Sequence, residues 1–283
     1  MKPHIQKLPL EEDTSFVART YCTPNFEVGW HQHQEVELIL FTQGAGLGFV
    51  GDHISHFKAG DIYLLGSNLP HTFQKHDPKQ VTSAVVVQFL EDFWGEAFLA
   101  LPESRGIKAL ISQCANGLKI PTETSPILAQ ELSRLELSKG FERILILSQI
   151  LHVITRLLPL ETLSTVQPKL YSKKDQLTIE RIYSYTLSNY RQKISLEQVA
   201  NIANLSIPAF CSYFKRSTRK TFNEFLTQIR IANACSLLTT TALSIGEICM
   251  ETGYNSEVNF HKQFLKLKFV SPLQYRKHMA RLA

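Results

Sequence analysis

His31, His33 and Glu37 stand two and four residues apart, and His71 follows in a later block. On an extended strand, positions i, i+2 and i+6 share a face. The first three side chains can therefore point together, with His71 joining from another strand. Three imidazoles and a carboxylate form a donor set that suits Zn, Fe, Mn, Ni or Cu. Without an ion, the same groups form a polar pocket able to hydrogen-bond an organic ligand; a third reading is a purely structural network. A different chemistry marks the other end of the chain. From Lys173 to Ala283 there are 16 Lys and Arg against 7 Asp and Glu, a net of +9, whereas the preceding residues carry 14 against 18, a net of −4. A basic module beside a mildly acidic one suits a polyanionic partner.

Positioning these groups takes two domains, for which 283 residues suffice. An apolar share of 44% and a charged share of 19% are those of an ordinary globular protein. Short apolar runs at Val36–Thr42, Leu47–Val50, Ile62–Leu65 and Val85–Phe89 are punctuated by Gly51-Asp52, Gly60-Asp61 and Pro78. This spacing predicts an all-β sandwich or barrel. From Glu91 to about Leu160 the period lengthens. Ser125-Pro126 reads as an N-cap and first helical residue, with Leu128, Leu132 and Leu135 following at helical spacing. A second helix is expected from Phe141 to Leu158, with Ile144, Leu147, Leu151, Ile154 and Leu158 on one stripe that suits core or dimer packing. Residues 159–174 lose periodicity and read as a linker. The division expected is a barrel over 1–95, a helical linker or dimerisation segment over 96–162, and a basic helical domain over 170–283. The five cysteines lack a Cys-x-x-Cys pair, which argues against a disulfide framework or thiolate zinc site, and burial is expected for each. The N-terminal residues lack a signal-peptide core, and Ile144–Ile154 is too short and too interrupted to span a bilayer. A cytoplasmic protein without membrane contact is expected.

The strongest pattern is an internal repeat about 50 residues apart, residues 194–216 and 243–266. Each copy has a short helix with a small residue for close approach, Ala200 or Cys249. A turn residue tolerant of positive φ follows, Asn204 or Gly253, then a capping Ser206 or Ser256. The next helix carries two phenylalanines four apart, Phe210 and Phe214 or Phe260 and Phe264. Helix, tight turn and helix in this arrangement is helix-turn-helix geometry, whose second helix enters the major groove. A joining helix from Phe222 to about Leu238 spans roughly 25 Å, which suits recognition helices held about one DNA turn, 34 Å, apart.

At these residues the stretch from about Asp175 to His278 resembles the DNA-binding domain of the AraC (arabinose-operon regulator-like) family. The resemblance rests on Phe214-Lys215-Arg216, Phe222-x-x-Phe225, Arg230, Ala234 to Leu238, Ser244-Ile245-x-x-Ile248, Gly253-Tyr254, Phe260-x-x-x-Phe264 and Ser271-Pro272-x-x-Tyr275-Arg276. Arg219 and Phe269 stand where the family usually has Gly after each recognition helix. A left-handed turn kept there costs about 1 kcal/mol per residue; the alternative is a changed helix end. The resemblance implies base-reading positions at Pro208, Cys211 and Ser212 in the first unit, and at Glu257, Val258, His261 and Lys262 in the second. Lys262 suits guanine O6/N7 and Glu257 suits cytosine N4. Pro208 removes a donor. The first unit is therefore expected to anchor on phosphates through Lys215, Arg216, Arg219 and Lys220.

The histidine block, with Gly44, Gly60-Asp61 and His71, resembles the paired motifs of the cupin superfamily over about residues 25–90. Asn25 and Gly66 depart from that pattern at positions usually held by Gly and Pro. Regulators of the AraC type often carry such a barrel as their effector domain. The resemblance implies an effector site at His31, His33, Glu37 and His71, with Trp30, Phe41 and Tyr63 as apolar walls. A divalent metal on the four polar residues remains open. Together these readings predict an α+β two-domain fold: a cupin-like β-barrel with a helical dimerisation segment, then an all-α domain with two helix-turn-helix units. The function expected is a ligand-responsive, sequence-specific DNA-binding regulator rather than an enzyme. Its expected partners are double-stranded DNA, a sugar-like small molecule, a second copy of the chain, and RNA polymerase if it activates. The alternative, a metal-dependent cupin enzyme with an accessory basic domain, leaves the tandem repeat unexplained.

Overall fold

The computed structural model describes residues 14–23, 29–75, 79–157, 159–165 and 173–282. Asn25, Pro78, Leu158 and positions 166–172 of the expected linker lie outside the described residues. The chain divides into two compact units, the second beginning at Lys173, the residue from which the basic charge excess is counted.

The first unit contains β1 (Val17–Thr23), β2 (Val36–Gln43), β3 (Ala45–Val50), β4 (His53–Lys58), β5 (Ile62–Leu65), β6 (His71–Lys75) and β7 (Thr82–Phe89). After these come α1 (Glu96–Leu99), α2 (Arg105–Cys114), β8 (Leu118–Ile120), α3 (Ser125–Leu137), α4 (Phe141–Thr155) and β9 (Glu161–Thr162). One antiparallel sheet has the order β1-β7-β2-β5-β8-β9, and a second has the order β4-β3-β6. Alternation along the strands builds two cores. Val36, Leu38 and Leu40 of β2, with Val85, Val87 and Phe89 of β7, face Leu110, Leu128, Leu132, Leu147 and Leu151 of the helices. Ile39 and Phe41, with Ala84 and Val86, face Val50, Phe57 and Phe73 of the smaller sheet. A strand buried on both faces reads as a continuous apolar run, which is why β2, β5 and β7 stand out in the sequence. Glu37 has the parity of Ile39 and Phe41, and so belongs to the face between the sheets.

Several expectations need correction. Ser125 is the first residue of α3 rather than its cap; Thr124 holds the cap position, and a 3-10 turn over Thr122–Thr124 leads into the helix. The second expected helix ends at Thr155. Residues 96–162 pack their apolar stripes on the large sheet, so they are part of the first unit's core rather than a connector. The expected linker is built into the sheet at its start, where β9 pairs with β8. Cys22 and Cys211 are exposed, whereas Cys114, Cys235 and Cys249 are buried.

The second unit is helical: α5 (Lys173–Asn189), α6 (Leu196–Ile202), α7 (Ile207–Thr218), α8 (Phe222–Thr240), α9 (Ile245–Glu251), α10 (Glu257–Lys268) and α11 (Pro272–Leu282). Its helix starts are encoded locally. Ser195 with Gln198, Thr221 with Glu224 and Ser244 with Glu247 form reciprocal capping boxes at α6, α8 and α9. Ser206 and Ser256 cap α7 and α10 by accepting from the N–H groups of Ala209 and Asn259. Asn204 (φ 54°) and Gly253 (φ 82°) make the tight turns. Arg219 and Phe269 both keep the left-handed turn, at φ 60°, so the helix ends are retained despite the missing glycines.

Candidate functional site

The histidine cluster forms between the sheets, though not by the expected strand parity. His31 lies outside the strands and makes an isolated antiparallel bridge with His71, their N–H groups and carbonyls bonding at 3.1 and 2.9 Å. The two residues thus fix each other, and His33 and Glu37 enter beside them. One donor atom from each of His31, His33, Glu37 and His71 lies within 4.8 Å of all the others.

The ring tautomers follow from the backbone. Nδ1 of His31 bonds Gly29 O at 2.8 Å, that of His33 bonds Glu35 O at 2.9 Å, and that of His71 bonds Leu69 O at 2.8 Å. A carbonyl only accepts, so Nδ1 carries a proton in all three rings and Nε2 is left for the cluster. His33 Nε2 lies 2.5 Å from Glu37 Oε2. Gln88 Nε2 donates to the same oxygen at 2.9 Å. His71 Nε2 is buried and has no hydrogen-bond partner among the described residues; Glu37 Oε2, at 3.5 Å, is too far. Burial pulls the His31 imidazole down to about 3, reinforced by the neighbouring His71. Burial opposes charge on Glu37 as well, but the hydrogen bond and charge of His33, aided by His71, hold its carboxyl well below the ordinary range. For His33, burial is outweighed by the Glu37 carboxylate, which raises its pKa.

Gln88 is a member that sequence reasoning missed. It faces Glu37 across the β2–β7 ladder, and its signal was one amide inside an otherwise apolar run. Of the expected walls, Trp30 is buried beside the cluster in sequence. Phe41 and Tyr63 sit in an aromatic core with Phe57 and Phe73. Phe73 links them to the cluster, its ring centroid lying 6.3 Å from His71, 5.0 Å from Phe41 and 5.2 Å from Tyr63.

The second site is the pair of recognition helices. On α7, Pro208, Cys211, Ser212, Lys215 and Arg216 are exposed, as is Arg219 at its end. Lys220 is half-buried and donates to Gln228 Oε1 at 2.7 Å, so it is held rather than free to sweep the surface. On α10, Glu257, Val258, His261 and Lys262 are all exposed. Glu257 leans back over α9: a Cβ at Gly246 would lie 2.7 Å from its Oε1. Two arginines tie down backbone carbonyls within the second unit. Arg230 donates to Tyr190 O (2.8 Å) and Gln192 O (2.7 Å), and Arg276 donates to Leu238 O (3.2 Å) and Leu243 O (2.6 Å). No helix among the described residues is long and apolar enough to cross a membrane.

A β-rich ligand-binding unit followed by paired helix-turn-helix units defines a ligand-responsive, DNA-binding transcription regulator. Residues 14–143 match the model of the AraC-like ligand binding domain, and residues 199–278 match that of a helix-turn-helix domain. The chain belongs to the AraC family of transcription regulators. It is 24% identical to the lactose operon transcription activator of Staphylococcus xylosus, over 91% of this chain and 89% of that protein. It is 23% identical to the HTH-type transcriptional activator RhaR of Mannheimia succiniciproducens, over 94% of this chain and 92% of that protein. With the uncharacterized HTH-type transcriptional regulator YdiP of Escherichia coli it shares 37% identity, over 38% of this chain and 35% of that one.

Proposed function

We propose that the regulator senses its effector at the His31, His33, Glu37, His71 and Gln88 cluster, and that a divalent metal held by the first four completes the site. The observation carrying this reading is the common orientation of the three rings. All three present Nε2 inward, and that of His71 is buried with only a long 3.5 Å approach to Glu37 Oε2, an arrangement that is costly unless something binds there. The donor set suits zinc or a neighbouring first-row ion. Such an ion would supply a Lewis-acid contact for effector oxygens, and Gln88 and Glu37 would orient the ligand by hydrogen bonds. A sugar-like effector is favoured because relatives are named for the lactose and melibiose operons.

The remaining partners follow from the same reading. DNA is bound by α7 and α10, with α10 supplying the greater share of base recognition. RNA polymerase is the downstream partner of an activator, as two relatives aligned over most of this chain are named. A homodimer is supported by Leu137, Phe141 and Leu145, which are 83%, 69% and 57% exposed on α3 and α4. The cytoplasm is the compartment in which such a regulator meets its promoter. Elemental analysis of full-length protein purified without chelators tests the site. Near-stoichiometric metal, lost in His33→Ala, is expected. Protein that takes up no Zn, Fe, Mn, Ni or Cu on dialysis would leave the cluster as a metal-free pocket.

A further inference from the structure

Away from the cluster, one network holds the start of the segment that leads out of the first unit. Asp52 lies at the tip of the β3–β4 hairpin. Its Oδ1 accepts from Ser164 Oγ and from the Thr165 N–H, both at 2.9 Å, and its Oδ2 accepts from Thr165 Oγ1 at 2.7 Å. The backbone seals the same contact. Leu163 N–H donates to Gly117 O at 2.9 Å, Ser164 N–H to Asn116 O at 2.8 Å, and Asn116 Nδ2 to Ser164 O at 2.9 Å. Gly51 has φ 55°, and a Cβ there would lie 2.1 Å from Ser164 Oγ, so the tip admits the serine only because it has no side chain. Ser164 is 2% exposed, an unusual degree of burial for a residue leaving a domain.

The tip is also tied to the effector cluster. Val50 is paired with His71 in the β3–β6 ladder, and Gly51 N–H donates to Pro70 O at 2.8 Å. The carbonyl of Leu69 fixes the His71 ring through Nδ1. Side chains of Leu69 and Val50 flank Gly117, whose carbonyl receives Leu163. The strand end that presents His71 and the hairpin tip that grips Ser164 and Thr165 are therefore one hydrogen-bonded body.

We propose that Asp52 is a latch coupling the state of His71 to the segment leading to the DNA-binding unit. A ligand that fixes His71 keeps the latch closed; loss of that constraint frees Ser164 and Thr165. Asp52 acts as a positioning residue, and the regulatory consequence of the latch rests on the effector reading above. Two arrangements with different affinities for the ligand are what such coupling requires.

Amide hydrogen exchange on the full-length chain tests the latch in wild type, His71→Ala, Asp52→Asn and the double variant. His71→Ala is expected to speed exchange at Leu163 and Ser164 by about tenfold, and Asp52→Asn to do the same. The double variant should be no faster than Asp52→Asn alone, the non-additivity that marks a shared network. If Asp52→Asn does not fold, Thr165→Val removes one hydroxyl bond and should give a smaller effect of the same pattern. Protection at Leu163 and Ser164 that ignores His71→Ala, or effects that simply add, would overturn the latch. The same proteins titrated against upstream DNA separate the two ideas. Wild type that fails to bind sinks the regulator reading while exchange still decides the latch. Coupling is further supported if His71→Ala and Asp52→Asn shift DNA affinity by equal, non-additive factors.

Discussion

In the first helix-turn-helix unit, a serine cap, a buried phenylalanine pair and a left-handed cap at Arg219 support an exposed face of Pro208, Cys211 and Ser212. In the second, the same devices at Ser256, Phe260, Phe264 and Phe269 support Glu257, Val258, His261 and Lys262. The scaffolds repeat down to the φ of 60° at both helix ends. What differs is donor and acceptor capacity on the outer face. Backbone geometry and the chemistry of the exposed face are thus separate properties, set by different residues of the same helix. Short side chains at Pro208, Cys211 and Ser212 leave Lys215 and Arg216 on the same helix as the groups with the reach and charge for phosphate contacts.

The largest expected effect checks that the scaffolds are equivalent. Phe214→Ala and Phe264→Ala each remove a fully buried ring and should each cost about 3–5 kcal/mol in denaturant unfolding of the second unit. A cost confined to one of them would break the equivalence. Next in size is the anchoring role of the first unit. Lys215→Ala should weaken binding to all sequences alike and lower the salt slope of log K by about 1, which fluorescence titration over a salt series measures. A loss restricted to one sequence would move Lys215 into the reading class. The smallest effect concerns the helix ends. Phe269→Gly and Arg219→Gly relieve a left-handed strain and should each stabilise by about 1 kcal/mol, read as a small rise in thermal midpoint. Destabilisation would mean that the exposed Phe269 or Arg219 side chain makes a compensating contact.

How far these features were legible depended on the range of the interactions behind them. The second unit was readable because its determinants are local: a cap and its partner lie three residues apart, and Asn204 or Gly253 announces its own turn. In the first unit, β2, β5 and β7 were visible as runs buried on both faces. Strands β1, β4 and β6 were not, because VARTYCT, HISHFK and HTFQK mix polar and apolar residues. His31, His33 and Glu37 are legible from their spacing, although a bridge to His71, not a strand, aligns His31. Gln88 and the Asp52 contacts depend on strand register and on partners 51 and 112 or more residues away, which no local pattern records.

The inequality of the two recognition helices is tested most directly by binding profiles of the full-length protein over a library of operator variants. Wild type, Lys262→Ala and Ser212→Ala are compared side by side at one salt concentration. Lys262→Ala is expected to relax the preference at one base position, costing about 1–3 kcal/mol on the best site, while Ser212→Ala leaves the profile nearly unchanged. A profile altered more by Ser212→Ala than by Lys262→Ala would contradict the assignment of base reading to α10.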